Sequence, residues 1–389
     1  MGLPKINARM KRGRATIAAH PPPEAPSPSR PISPPLNLAS VHRFHDLDTL
    51  LAASEGREAS WSFYRRYGHP NGRMLEETVA ALEGSEDALA CASGMSAVAA
   101  IYQALCSKGD RVVASRELYG GTYAYFQKEL PKIGVDVEFV PPRDLPAAIR
   151  PGTKAVAIET ISNPLIGVAD LAALSRAAKR AGATLVVDST FATPFLCRPL
   201  EWGAEVVFHS GTKFLNGHGD ATSGVVCGPA ALIKAMRKYT ILAGGVITPL
   251  DAWLTLRGLK TLGVRVQRAS ENAAAVARFL SRHRKVSRVN YPSPSKYLKP
   301  VRGPMLSFEV KGGLRAADRF VRACRLIELA PSLGDVTTTS THPARSSHAY
   351  LSPADRAKVG VTDGLIRIST GIEDLADIVD DLKQALSKV

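Results

Sequence analysis

The 389-residue sequence holds no run near the roughly 18 uncharged apolar residues that a membrane helix needs, so it reads as a soluble chain. Cysteine is scarce. Cys91, Cys106, Cys197, Cys227 and Cys324 are scattered, with no C-x-x-C pair among them. That excludes the cysteine-dense framework of a small secreted domain and supplies no zinc ligand set. Free thiols in apolar stretches behave as small hydrophobes, and a reducing cytoplasm is the expected setting. Acid is almost missing at the start, where residues 1–40 carry six Lys or Arg against Glu24 alone. This segment lacks the amphipathic period of a transit peptide and reads as a basic tail. The rest of the net charge of +15 is spread singly, with no basic stripe interleaved with aromatics. It reads as a solvated surface that attracts anionic ligands, not as a nucleic-acid face. A basic nucleic-acid-binding protein on an enzyme-like fold stands as the non-enzymatic alternative. No internal repeat is present, which excludes solenoids and propellers.

What is present suits one large domain and a smaller one, given 45% hydrophobic and 22% charged residues. Eight prolines within residues 20–35 forbid a helix or central strand, and residues 1–60 are expected to be extended. A polar, Gly/Pro-punctuated loop spans Trp61–Arg73. Short, nearly continuous apolar runs then alternate with helical stretches: strands at Asp87–Ala92, Arg111–Ala114, Val135–Val140, Lys154–Glu159, Thr184–Val187, Glu205–His209 and Ser223–Cys227. Leu171–Ala181 is a helix that Gly182 should close. The pattern predicts an α/β large domain over 61–248 with a seven-stranded, mainly parallel sheet covered on both faces. Long helices follow, with strands at Met305–Val310 and Ile366–Ser369 and helices near Ala316–Cys324 and Ile372–Leu386. They predict a smaller α+β domain over 249–389.

In such sheets, functional groups collect at the carboxyl ends of the strands. One strand runs into Ser93-Gly94-Met95 at a helix start, where free backbone N–H groups and a glycine suit a phosphate. A second ends at Asp188. A third runs into Ser210-Gly211-Thr212-Lys213, and a lysine at a buried strand end is costly unless it has a task. Desolvation there lowers an amine pKa and opens Schiff-base chemistry. Together these parts answer the needs of a pyridoxal-phosphate (PLP) site: a phosphate cradle from Ser93, Gly94, Met95, Ser210 and Thr212, a carboxylate for the pyridine nitrogen in Asp188, a ring-stacking aromatic in Tyr119, and the attaching amine in Lys213.

The stretches Val187-Asp188-Ser189-Thr190-Phe191-Ala192-Thr193-Pro194 and His209-Ser210-Gly211-Thr212-Lys213-Phe214-Leu215-Asn216-Gly217-His218 resemble the signature of the Cys/Met-metabolism PLP enzymes. That group includes cystathionine γ-synthases, cystathionine γ-lyases, methionine γ-lyases and homoserine-ester sulfhydrylases. The likeness runs from about Tyr64 to the C-terminus, with Gly211 in place of the usual alanine. It implies PLP fold type I, with Lys213 as cofactor lysine and proton shuttle and Asp188 as the pyridine-nitrogen partner. Asn163, in Ser162-Asn163-Pro164, would lie near the ring hydroxyl, and Tyr119 would stack on the ring and assist the leaving group. Ser332 and Arg367 would hold the substrate carboxylate, a bidentate task suited to a planar guanidinium. Tyr64-Arg65-Arg66-Tyr67-Gly68-His69-Pro70 resembles the loop from which Tyr64 and Arg66 reach the phosphate of a neighbouring subunit, with His69 for the usual asparagine. The resemblance therefore implies a homo-oligomer, at least a dimer and typically a tetramer.

Among members of that group, Ser332-Leu333-Gly334-Asp335 and Gly217-His218-Gly219-Asp220 look more like a methionine γ-lyase. Gly121 stands where those lyases carry a cysteine. Ala124 replaces an arginine, and Pro331 a glutamate, that are frequent in the cystathionine enzymes. Two charges that would meet a second amino-acid moiety are thus absent. The expected reaction is γ-elimination on methionine, homocysteine or cystathionine, giving 2-oxobutanoate and ammonia, with γ-replacement as the alternative.

Overall fold

Alternate residues of each central strand face opposite sides of the sheet, and both sets are apolar. The computed structural model describes residue 29 and residues 31–55, 63–349 and 352–389. The proline-rich stretch 20–28 and Trp61 lie outside the described residues, and Pro31–Pro35 carries neither helix nor strand. The chain divides into two units, Met1–His69 and Pro70–Val389. In the first unit, Val41 bridges Tyr64, and the Arg66 guanidinium lies over the rings of Tyr64 and Tyr67.

The second unit contains both sheets. The larger consists of β1 (Asp87–Cys91), β2 (Arg111–Ser115), β3 (Asp136–Val140), β4 (Thr153–Glu159), β5 (Thr184–Asp188), β6 (Val206–Ser210) and β7 (Gly224–Gly228), in the order β1-β7-β6-β5-β4-β2-β3. Only the pairings made by β7 are antiparallel. Leu185 and Val187 of β5 join one core with Leu75, Val79 and Leu171, while Val186 joins a second with Ala97 and Ile101. This two-sided burial is why the strands read as continuous apolar runs. The Leu171–Ala181 helix is capped by the Asp170 carboxylate, which accepts the Ala173 N–H at 3.0 Å, and ends at Gly182 with φ +68°. That is the left-handed conformation glycine adopts without steric cost.

The second sheet has the order β10-β11-β12-β9-β8, from β8 (Val286–Asn290), β9 (Met305–Val310), β10 (Glu328–Leu329), β11 (Thr339–Thr341) and β12 (Leu365–Ser369). Its apolar face packs under the helices Gly313–Ala323 and Leu375–Ser387. Two sequence expectations are corrected. Residues 1–60, read as extended throughout, hold a helix over Leu47–Ser54, whose first turn is capped by the Asp46 carboxylate accepting the Thr49 N–H at 2.7 Å. The segment Pro70–Arg73, read as loop, is the first turn of a helix over Pro70–Glu83. Proline's fixed φ is already helical, and its missing N–H is not needed in a first turn.

Candidate active site

The carboxyl ends of β4, β5 and β6 and the start of the Gly94–Leu105 helix surround a cavity of about 510 Å³. Ten of the thirteen residues singled out in the sequence line it: Ser93, Gly94, Met95, Tyr119, Asn163, Asp188, Ser210, Thr212, Lys213 and Arg367. Ser332 adjoins it, its Oγ accepting a hydrogen bond from Lys213 Nζ at 2.8 Å. Tyr64 and Arg66 belong to the first unit and are not among the lining residues.

At the helix start, Ser93 caps the first turn. Its Oγ accepts the Ser96 N–H at 3.1 Å and its carbonyl accepts the Ala97 N–H at 3.1 Å. The N–H groups of Gly94 and Met95 are left at the end of the helix dipole, in position for an anion. A Cβ at Gly94 would stand 2.9 Å from Ser210 Cβ, so only glycine lets the two turns approach this closely.

Asp188 accepts the Thr190 N–H at 2.9 Å. Burial raises its pKa, while the Thr190 hydrogen bonds and the nearby His209 act in the opposite sense. Thr190 Oγ1 also accepts the Ser210 N–H at 2.9 Å, which ties the turn after β5 to the turn after β6.

Lys213 follows β6 in a tight turn, its carbonyl accepting the Gly217 N–H at 2.8 Å. Burial, and then the positive charge of Arg367, lower its amine to about 8. From the opposite side, Gly334 packs on this turn. A Cβ there would lie 2.6 Å from Phe214 N and 2.8 Å from the Lys213 carbonyl carbon.

Arg367, on β12, is 4% exposed, which rules out a surface charge. Nη1 donates to Asn163 Oδ1 at 2.9 Å, and Nη2 donates to the Ser332 carbonyl at 3.2 Å. Its Nε finds no hydrogen-bond partner among the described residues. A largely buried guanidinium at the cavity wall suits an incoming carboxylate.

Tyr119 is partly exposed, and its ring lies over Gly121, where a Cβ would come within 2.6 Å of Tyr119 Cε1. Sequence reasoning gave Glu159 no role, yet it lines the cavity at 5% exposure. The signal was available: an acid at the last position of a buried strand is as costly as the lysine that drew notice. Ser346 and Ser347 also line the cavity and gave no signal, since they come from an irregular segment.

The family model for the Cys/Met metabolism PLP-dependent enzymes matches residues 15–387. The chain belongs to that family. It is 43% identical over 347 residues to the O-succinylhomoserine sulfhydrylase of Pseudomonas aeruginosa, a match covering 86% of each chain. To the L-methionine γ-lyase of Pseudomonas putida it is 38% identical over 366 residues, covering 91% of this chain and 92% of that one. Among solved structures it resembles a cystathionine γ-synthase of Xanthomonas oryzae pv. oryzae, with TM-score 0.86, 36% identity and coverage of 92% and 93%.

The cofactor of this family member is PLP, and the residues present fit it. The donor set offers free N–H groups and hydroxyls for a phosphate, a buried carboxylate for a ring nitrogen, and an amine whose pKa is already depressed.

Proposed function

We propose that the chain catalyses γ-elimination on a sulfur amino acid with a small, uncharged γ-substituent, methionine or homocysteine before cystathionine. The carrying observation is the charge inventory of the cavity: among the described residues of one chain, the charged side chains lining it are Glu159, Asp188, Lys213 and Arg367. Asp188, Lys213 and Arg367 have tasks around the cofactor or the substrate carboxylate, and Glu159 is engaged by the backbone N–H groups of Tyr119 and Asn163. None is left for the second amino-acid end of a cystathionine, and Pro331 stands at the cavity wall instead.

In this reading the Gly94 and Met95 N–H groups, with the Ser210 and Thr212 hydroxyls, bind the phosphate, and Ser93 orders their turn. With PLP bound, Asp188 would keep the ring nitrogen protonated, and Asn163 and Tyr119 would help hold the ring. When bound, PLP supplies the electron sink that makes the substrate Cα acidic. Arg367 and Ser332 orient the substrate carboxylate. Lys213 Nζ takes the Cα proton and passes protons to the reacting carbons, a role suited to an amine titrating near 8. The Tyr119 hydroxyl donates a proton to the departing sulfur. Tyr64 and Arg66 serve the phosphate of a neighbouring copy, so the working form is a homo-oligomer, and the family precedent favours a tetramer. The five cysteines, all free, support a reducing cytoplasm.

γ-Replacement is the second reading, favoured by the 43% identity to a protein named as a homoserine-ester sulfhydrylase. A substrate panel separates the two. We expect 2-oxobutanoate from methionine or homocysteine, and more of it than of thioether from O-acylhomoserine plus thiol. Absence of keto acid from every sulfur substrate would reject elimination. Lys213→Ala should remove the visible band that the cofactor shows when attached to Lys213, and an unchanged spectrum would reject the role of Lys213.

A further inference from the structure

Glu159 ends β4 with both carboxylate oxygens engaged by backbone donors on two different turns. Oε1 accepts the N–H of Tyr119, at the start of the Gly120–Lys128 helix, and Oε2 accepts the N–H of Asn163 at 3.1 Å. The next link continues from Asn163, whose Oδ1 accepts from Arg367 Nη1 at 2.9 Å. A line of hydrogen bonds therefore runs from the ring-covering tyrosine through one carboxylate to the guanidinium that faces the substrate.

The position is an expensive one for an acid. Glu159 pairs in register with Asp188, and burial, followed by the charge of Asp188, raises its pKa well above the ordinary carboxylate range. A second carboxylate beside the first is retained against this cost. The chemistry of the donors gives the reason. Two N–H groups converge on one side chain, and a carboxyl group presents an acceptor oxygen to each of them. Glutamine would turn its NH₂ toward one of the N–H groups, and alanine would leave both without a partner.

We propose that Glu159 is a positioning residue that fixes the spacing between Tyr119 and Arg367 by clamping the Tyr119 and Asn163 turns to one carboxylate. The inference rests on the roles given above to those two residues. Its test uses the full-length holoenzyme carrying Glu159→Gln. The cofactor should remain attached, with its visible absorbance kept, because Lys213 and Asp188 are untouched. Three readouts should change. The induced circular dichroism of the cofactor should weaken as the ring loses its fixed cover. Amide exchange at Tyr119 and Asn163 should accelerate. The kcat should fall on the order of tenfold to a hundredfold, the scale of about 1 Å of misplacement, with a rise in KM.

Glu159→Asp keeps two acceptor oxygens one methylene shorter, so it should retain the fold and show smaller changes of the same sign. It carries the test if the glutamine variant does not fold. Wild-type dichroism, kcat and KM in the folded glutamine variant, or in the aspartate variant standing in for it, would overturn the proposal. So would a lowered melting temperature as the only effect. Failure of the underlying reading is seen separately, as an unchanged visible spectrum in Lys213→Ala.

Discussion

Lys213 is the residue on which the proposed site turns, and its environment sets where its amine loses its proton. Burial and the charge of Arg367 both disfavour the ammonium, lowering it from the usual 10.5 to about 8. In the cofactor-free protein, limiting acid anhydride should therefore label Lys213 with a midpoint near pH 8, read by mass spectrometry. A midpoint above 10 would contradict the depressed pKa. The sign for stability follows from the same shift. Below pH 8 both folded and unfolded chains hold the proton, and only the folded one suffers its desolvation. Between about 8 and 10.5 the folded chain has released it, so the penalty fades as pH rises. Lys213→Met should stabilise the cofactor-free protein most below pH 8 and least above 10.5, by urea unfolding across that range. At this scale the placing of the side chains was legible in the sequence, because a lysine or an aspartate at the end of an apolar strand is out of place, and both line the cavity. Glu159 was equally out of place but sits four residues before a more familiar Asn-Pro pair, and its two partners are backbone groups that no sequence pattern marks.

The element that carries Lys213 is a turn held from behind. Arg265, on the helix Leu262–Ser281, is 6% exposed and donates to the carbonyls of Phe214 and Gly258 at 2.8 Å each, and to that of Leu215 at 3.4 Å. The guanidinium occupies the space beside Gly217, where a Cβ would stand 2.0 Å from Arg265 Nη1 and where φ is +79°. Arg265→Met strands buried carbonyls and should destabilise by about 1–3 kcal/mol. Gly217→Ala adds a clash to a left-handed backbone and should cost at least about 1 kcal/mol. Urea unfolding measures both, and losses under about 0.5 kcal/mol, the range of ordinary surface changes, would refute the clamp. The large sheet was legible as elements because burial on both faces makes each strand a continuous apolar run. Strands β8, β10 and β11 were not. Ser287 and Arg288 of β8 are exposed, β10 is two residues long, and β11 is Thr-Ser-Thr, held by its pairing with β12. Their strand character comes from a neighbour's hydrogen bonds, not from their own side chains.

For the whole molecule, the proposed exchange of Tyr64 and Arg66 between copies has a direct test. A Tyr64→Phe, Arg66→Ala double variant and a Lys213→Ala variant should each be nearly inactive. Refolded together, they should regain activity, because a mixed pair contains one site with every residue intact. No recovery on mixing would mean that the loop serves its own site or none. Within the second unit, the two sheets supply one site from opposite sides: Lys213 and Asp188 come from the larger, and Arg367 from the smaller. Where the smaller domain's loop meets the lysine turn, Gly334 touches backbone while Pro331, three residues earlier, faces the cavity. The two positions therefore have different freedom to vary. A lineage, or a mutagenesis library, exploring new γ-substituents can alter residue 331 without disturbing the lysine, but any side chain at 334 displaces it. Within this four-residue loop, one end is free to reshape the cavity wall and the other is the part that cannot drift.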